Sequence, residues 1–73
     1  MEMKIILTNH ARARMQERRV NLAVIRKVLR NPKKVESAEN SKLYYFGEDR
    51  GRRIKVVLAK RKEIFTIISV YPL

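Results

Sequence analysis

The chain has 73 residues, which is enough for one small hydrophobic core and too few for several domains. It contains no cysteine, which excludes disulfides and thiolate metal sites, and its single histidine leaves any metal site to oxygen ligands. Lys and Arg number 18 against 7 acidic residues, and the formal net charge of +11 indicates a polyanionic partner: nucleic acid first, an acidic protein second and an anionic membrane surface third.

The chain shows no targeting or membrane-spanning pattern. No apolar run reaches 18 residues, and the opening MEMKIILTNHARAR lacks a signal-peptide core of useful length. We therefore expect a cytoplasmic protein, a single domain over residues 1–73 and no membrane partner. So short a chain buries little apolar surface alone, and self-association into a homo-oligomer is compatible with this composition.

The first predicted elements are a short apolar segment and a helix. Residues 3–7, MKIIL, form either an edge strand or a lead-in. Thr8 or Asn9 is a suitable N-cap for a helix that runs to about Arg18.

A second helix follows almost at once. Asn21 is a suitable N-cap for the segment LAVIRKVLRN, and the pair Asn31-Pro32 ends it because the residue before proline is disfavoured in helical conformation. The helical period gives this segment one apolar face, made of Leu22, Val24, Ile25, Val28 and Leu29.

After Pro32 the hydrophobic period changes from helical to two. KKVES at 33–37 can begin a strand, and three longer strands are predicted over 41–49, 52–60 and 63–71. The short, polar links between them imply antiparallel neighbours. The predicted fold class is α+β, with two N-terminal helices packed on a three- to four-stranded, mainly antiparallel sheet.

The alternation divides the sheet residues into two faces. The face expected under the helices carries Leu43, Tyr45, Ile54, Val56, Leu58, Ile64, Ile68 and Val70. The other face mixes aromatic, basic and hydroxyl side chains, as a binding surface does: Tyr44, Phe46, Lys55, Val57, Phe65, Ile67, Ser69 and Tyr71. A single bulge would exchange the faces of one strand.

One stripe of the first helix has the residue types that RNA cleavage requires. His10, Arg14 and Arg18 stand at i, i+4 and i+8, which places them on one helical face. Cleavage through the 2′-hydroxyl needs proton transfer, which a histidine performs near neutral pH, and cations around the phosphate, which arginines supply. The alternative interpretation is a solvated basic face in which His10 caps or packs at the helix start.

The aromatic residues of the strands suggest a second set of candidates. Ser69 and Tyr71 project to the same face of the last predicted strand, where Tyr71 could orient a phosphate or stack on a base. Tyr44 and Tyr45 must point to opposite faces, so at most one serves as a platform. The alternative for Tyr71 is an amphipathic tyrosine at the rim of the sheet with its hydroxyl in water.

HARARMQERRV, residues 10–20, resembles the pattern H-A-x-x-R-M-x-x-R-x-[IV] of a small prokaryotic family of unknown function. That family is grouped with the RelE- and BrnT-like toxins, within the barnase–EndoU–colicin–RelE ribonuclease fold. The resemblance continues through RNP at 30–32, YYF at 44–46, IKVVLA at 54–59 and SVYP at 69–72, so it covers nearly the whole chain. Arg19 stands where the family often has glycine, and Ser69 where threonine is frequent.

The resemblance implies a toxin-type, metal-independent endoribonuclease of the mRNA-interferase kind, without a cofactor, in a toxin–antitoxin or stress-response module. RNA, including ribosome-bound mRNA, would be the substrate and an acidic antitoxin the resting partner. The implied catalytic residues are His10, Arg14, Arg18 and Tyr71. The candidates for nucleic-acid binding are Arg12, Arg19, Lys55, Tyr44 and Ser69.

Two other functions agree with the same residues. The first is a non-catalytic nucleic-acid-binding module that uses the same face, and the helix pair is also compatible with a helix-turn-helix arrangement. The second is a protein-interaction domain whose basic face receives an acidic partner. Salt-sensitive RNA binding without cleavage would favour the first, and little RNA affinity at physiological salt would favour the second.

Overall fold

The computed structural model describes residues 3–73, which form one five-stranded sheet and two helices. The elements follow the order β1 (Lys4–Leu7), α1 (Asn9–Arg18), α2 (Leu22–Arg30), β2 (Lys34–Ser37), β3 (Lys42–Asp49), β4 (Arg52–Arg61) and β5 (Ile64–Pro72). The strand order is β1-β5-β4-β3-β2, and every neighbouring pair is antiparallel except β1 and β5. The α+β class is thus confirmed, whereas the sheet is mixed and has more strands than predicted.

Both predicted helices begin at capping residues. The Thr8 hydroxyl accepts a hydrogen bond from the Ala11 backbone N–H at 3.0 Å, and the Asn21 side chain accepts one from Val24 N–H at 3.0 Å. The predicted starts of both helices are confirmed. They could be predicted because capping signals act within a few residues. α1 ends at Arg18, and its C-cap residue Arg19 has φ of 54° and ψ of 47°, in the left-handed region.

The segment predicted as an edge strand or a lead-in is the edge strand β1. It runs parallel to β5, in a register that begins with Lys4 opposite Ile64 and ends with Leu7 opposite Ile67. The short links between consecutive strands from β2 to β5 determine which of these strands are neighbours in the sheet. Connection length does not determine the neighbour of β1, because both helices and three strands separate β1 from β5 in the chain.

The core face is partly different from the predicted one. Ile64 and Ile68 were expected in the core, yet Ile64 is exposed and Ile68 is half-buried, and their places are taken by the buried residues Phe65 and Ile67. The cause is a register shift against β4, where Val57 pairs with Ser69 but Leu58 pairs with Ile67. Ile68 therefore has no partner on β4 and is an extra residue in β5. The residues of β5 before Ile68 consequently point to the faces opposite to those that a regular alternation predicts.

The helices cover the core face of the sheet at very short range. α1 lies against β5 and β1, while α2 lies mainly against β3. A Cβ at Gly47 would come within 2.9 Å of a Val28 methyl group and within 3.2 Å of its Cα. Glycine at this crossing allows α2 to approach the strand, and the face of the sheet that the helices leave uncovered carries the candidate site.

Candidate nucleic-acid interface

α1 replaces β1 as the neighbour of the last part of β5. The pairing of the two strands ends at Ile67, where the Thr8 hydroxyl and backbone N–H both donate to the Ile67 carbonyl, at 2.9 and 3.2 Å. Farther along, Arg18 Nη1 donates to the Val70 carbonyl at 2.7 Å. These contacts fasten both ends of α1 to the edge of β5, so the predicted stripe lies alongside the Ser69–Tyr71 segment.

Four side chains, one from each of α1, β3, β4 and β5, form a row of alternating cations and aromatic rings. The Arg18 guanidinium lies 4.7 Å from the centroid of the Tyr71 ring. Lys55 Nζ lies 5.6 Å from the Tyr71 centroid and 4.1 Å from that of Tyr44. Strand register brings the row together, because Lys55 pairs with Tyr71 in the sheet. We call Arg18, Tyr71, Lys55 and Tyr44 the cation–aromatic row.

A shallow concavity of about 470 Å³ lies over three members of the row, Tyr71, Lys55 and Tyr44. Its lining includes five of the residues predicted from the sequence, although they come from α1, β3, β4 and β5: His10, Tyr44, Lys55, Ser69 and Tyr71. His10 is exposed at the first turn of α1. The fold thus brings a titratable base, a phenol and an ammonium group to one surface, which we call the first concavity.

The phenol of Tyr71 has an altered acidity. Its pKa is lowered from the ordinary value of 10.0, first by the neighbouring Ser69 hydroxyl and then by the positive charges of Arg18, Lys55 and Arg14, while partial burial opposes the change. Ser69 is only 2% exposed, and its Oγ has no hydrogen-bond partner within residues 3–73. We therefore attribute its effect on the pKa of Tyr71 to a nearby polar group and not to a formed hydrogen bond.

The remaining predicted residues have different surroundings. Arg14 is half-buried and its Nη1 lies 2.7 Å from Glu17 Oε1, so a phosphate would have to compete with this carboxylate. Arg12 is exposed and does not line the first concavity. Arg19 lines a different concavity, beside α2. The structure therefore places Arg18 in the row and His10 in the first concavity, and it brings neither Arg12 nor Arg19 to either of them.

The sequence analysis missed one cation of the first concavity. Lys42 lines it together with Tyr44, and both lie on β3. The signal was present in the alternation, because a residue two positions before Tyr44 must share its face. The predicted opposition of the neighbouring tyrosines is confirmed: Tyr45 is buried in the core, where its ring meets that of Phe65 edge-on at 6.1 Å.

Residues 3–73 contain neither a metal-binding cluster nor a membrane-spanning helix. Within residues 3–73, no three His, Asp or Glu side chains come together in a group that could hold a metal ion. The helices of the same residues are too short and too polar for any of them to cross a bilayer.

The comparisons with known proteins give a family and no function. No curated protein matches the chain, and no solved structure matches it. A family model described as a domain of unknown function, DUF4258, matches residues 7–72. These residues include α1, α2 and strands β2 to β5, with all the residues of the first concavity except Leu73. The chain therefore belongs to the DUF4258 family.

Proposed function

We propose that the protein is a toxin-type ribonuclease of RelE- and BrnT-like kind, which cleaves RNA at the first concavity. The observation that carries the proposal is the meeting of His10 and Tyr71 at one surface, with Arg18 stacked on the Tyr71 ring. These are two groups that can move protons and one that can hold phosphate. Such a combination suits cleavage through the neighbouring 2′-hydroxyl.

Each group has a defined task in the proposed reaction. His10 accepts the proton of the 2′-hydroxyl, the 2′-oxygen attacks phosphorus, and Tyr71 protonates the departing 5′-oxygen. The products are a 2′,3′-cyclic phosphate and a 5′-hydroxyl end. Lys55 and Arg18 stabilise the negative charge that develops on the phosphate oxygens. The lowered pKa of Tyr71 supports its assignment as the acid, because a phenol of lower pKa transfers its proton more readily near neutral pH.

Ser69 supports a ligand at this surface. A buried hydroxyl without a partner costs about 1–3 kcal/mol, so native proteins rarely keep one. A phosphate oxygen could accept the Ser69 hydrogen bond after the Tyr71 side chain rotates away. Tyr71 is 37% exposed, which leaves it room to move.

The proposed partner follows from the charge. A net charge of +11 on 73 residues favours an acidic antitoxin, partly disordered when free, that neutralises the basic surface in the resting state. Co-purification of the untagged protein with an acidic partner from its native cell would support this. Isolation of the protein alone, with no effect of its overexpression on growth, would contradict it.

Cleavage of a labelled single-stranded RNA tests the proposed reaction, with the protein alone and with ribosomes added. We expect wild type to release 2′,3′-cyclic phosphate ends, and we expect His10→Ala and Tyr71→Phe each to lower the rate by about 10²- to 10⁴-fold. Arg26→Ala is the matched control, because Arg26 is an exposed cation of α2 outside the first concavity. A 2′-O-methyl RNA of the same sequence should resist cleavage. Equal cleavage by wild type and His10→Ala would refute the assignment.

A non-catalytic nucleic-acid-binding module is the second candidate. It is favoured by the alternation of cations and aromatic rings in the row, and by the pairing of Arg14 with Glu17, which leaves that arginine less available to stabilise a transition state. In this case the row would stack bases and hold phosphates, and no bond would break. Salt-sensitive RNA binding that survives His10→Ala, without cleavage by wild type, would establish it. Absence of RNA binding at physiological salt would leave the protein-interaction domain.

A further inference from the structure

A second concavity, of about 500 Å³, lies between the start of α2 and the hairpin that joins β3 to β4. It shares no residue with the first concavity. Its lining carries four positive side chains against one carboxylate: Arg19, Lys27, Arg50, Arg52 and Asp49. The proposed reaction uses none of these residues.

The single carboxylate neutralises little of this charge. Asp49 Oδ1 lies 3.4 Å from Lys27 Nζ, which is the long end of ion-pair distances, and the Lys27 side chain is 55% exposed. Arg52 Nη2 contacts the backbone carbonyl of Arg19 at 3.4 Å. Within residues 3–73, neither Arg19 nor Arg50 forms an ion pair. Two guanidinium groups are thus free to receive an anion.

Both of these arginines occupy backbone positions that favour other residues. Arg19 ends α1 with φ of 54°, where glycine or asparagine is usual. Arg50 has φ of 52° and Gly51 has φ of 81°, and the two form the two-residue link between β3 and β4. Such a hairpin turn favours Asn-Gly. Left-handed backbone is unfavourable for most side chains. The chain keeps arginine at both positions, and both arginines line the same concavity.

Two adjacent residues at the end of α1 belong to the row and to the second concavity. Arg18 stacks on Tyr71 of the row, and the next residue, Arg19, lines the second concavity. Consecutive Cα atoms lie about 3.8 Å apart, so a strand that extends from the row around the end of α1 can reach Arg19. We propose that the second concavity is a phosphate-binding subsite that holds a further part of the same single-stranded RNA. The inference rests on the proposed function, because it requires RNA in the first concavity.

Replacement of both arginines by asparagine tests this subsite. Arg19→Asn with Arg50→Asn removes two charges and places a favoured residue in each left-handed position. Binding would be measured by fluorescence anisotropy at several salt concentrations, with 2′-O-methyl RNA of four and of fourteen nucleotides. For the longer RNA we expect affinity to fall on the order of tenfold and the salt slope to decrease by about 1.4, the value for two phosphate contacts. The four-nucleotide RNA should bind as it does to wild type. The melting temperature should stay constant or rise by about 4 °C.

Lys62→Asn is the matched control. Lys62 also has a left-handed backbone, with φ of 56°, but it lies in the link between β4 and β5 and lines neither concavity. We expect the change in melting temperature per substituted residue to equal that of the double variant. We expect the salt slope of RNA binding to stay nearly unchanged. Arg19→Lys with Arg50→Lys, which keeps both charges, should retain most of the affinity for the longer RNA.

The outcomes separate this inference from the proposed function. Wild type that binds both RNAs, with a double variant of unchanged affinity and slope, would overturn the subsite and leave the first concavity intact. Equal losses for the short and the long RNA would also overturn it. Failure of wild type to bind either RNA at 0.1 M salt would overturn the proposed function and the subsite together.

Discussion

Ser69→Ala is expected to stabilise the protein while it impairs the site. The Oγ atom is buried without a hydrogen-bond partner in residues 3–73, so the folded state carries the desolvation cost of a hydroxyl, about 1–3 kcal/mol. Alanine removes this cost and leaves a cavity the size of one oxygen atom, which costs roughly 0.3 kcal/mol. The net gain is about 0.7 kcal/mol at the lower end of the range, or a rise in melting temperature of about 3–6 °C for a domain of this size.

Thermal unfolding followed by circular dichroism measures the change in stability. Spectrophotometric titration of the tyrosines measures the change in the pKa of Tyr71. Because the Ser69 hydroxyl is the first cause of the lowered pKa of Tyr71, the pKa should rise towards its ordinary value in the variant. Ser37→Ala, at an exposed position of β2, is the control for loss of a strand hydroxyl. A lower melting temperature in Ser69→Ala would show that the hydroxyl is satisfied in the native state. It would thereby refute the reasoning that a ligand completes it.

Three further predictions concern packing and charge. Gly47→Ala should lower the free energy of unfolding in urea by about 1–3 kcal/mol, because the added methyl group would meet Val28 at 2.9 Å. An unchanged urea midpoint would mean that α2 can shift away from the strand without cost. Arg18→Lys should cost about 1 kcal/mol, since lysine keeps the charge but lacks the planar fork that contacts both the Val70 carbonyl and the Tyr71 ring; a thermal melt equal to wild type would contradict this. Because the folded-state pKa of Tyr71 lies below the unfolded value of 10.0, its stabilising effect is present above the unfolded pKa and is lost as the pH falls through the folded one. The stability of wild type relative to Tyr71→Phe should therefore increase as the pH is raised through this window, and a difference independent of pH would exclude the shift.

The helices could be predicted from the sequence because their signals are local. The hydroxyl and amide caps, the period of the apolar residues and the Asn31-Pro32 stop all act within a few residues of the helix they define. The parallel pairing of β1 with β5 could not be predicted, because nothing near residues 4–7 specifies a partner about 60 residues away. The extra residue Ile68 was equally hidden, since either alternation of β5 buries a comparable set of apolar side chains.

The candidate site was predictable in its members but not in its shape. Helical spacing placed His10 and Arg18 on one face of α1, and strand alternation placed Tyr71 on one face of β5, but only the docking of α1 against the edge of β5 unites the two faces. The same docking separates Arg12 and Arg19 from the row. The second concavity had one readable sign, an arginine before Gly51 in a hairpin turn where asparagine is usual.

The two ends of α1 differ in what a substitution there can reveal. Arg18 donates to the Val70 carbonyl at the edge of β5 and stacks on Tyr71, so its removal changes the stability of the domain and the charge of the site together. His10 is exposed in the first turn and contributes no buried surface to the core. Loss of cleavage in His10→Ala at an unchanged melting temperature therefore reports on chemistry, whereas the same loss in Arg18→Ala does not distinguish chemistry from folding. For this reason the decision between a ribonuclease and a binding module depends on the histidine, and the extent of the RNA surface depends on Arg19 and Arg50.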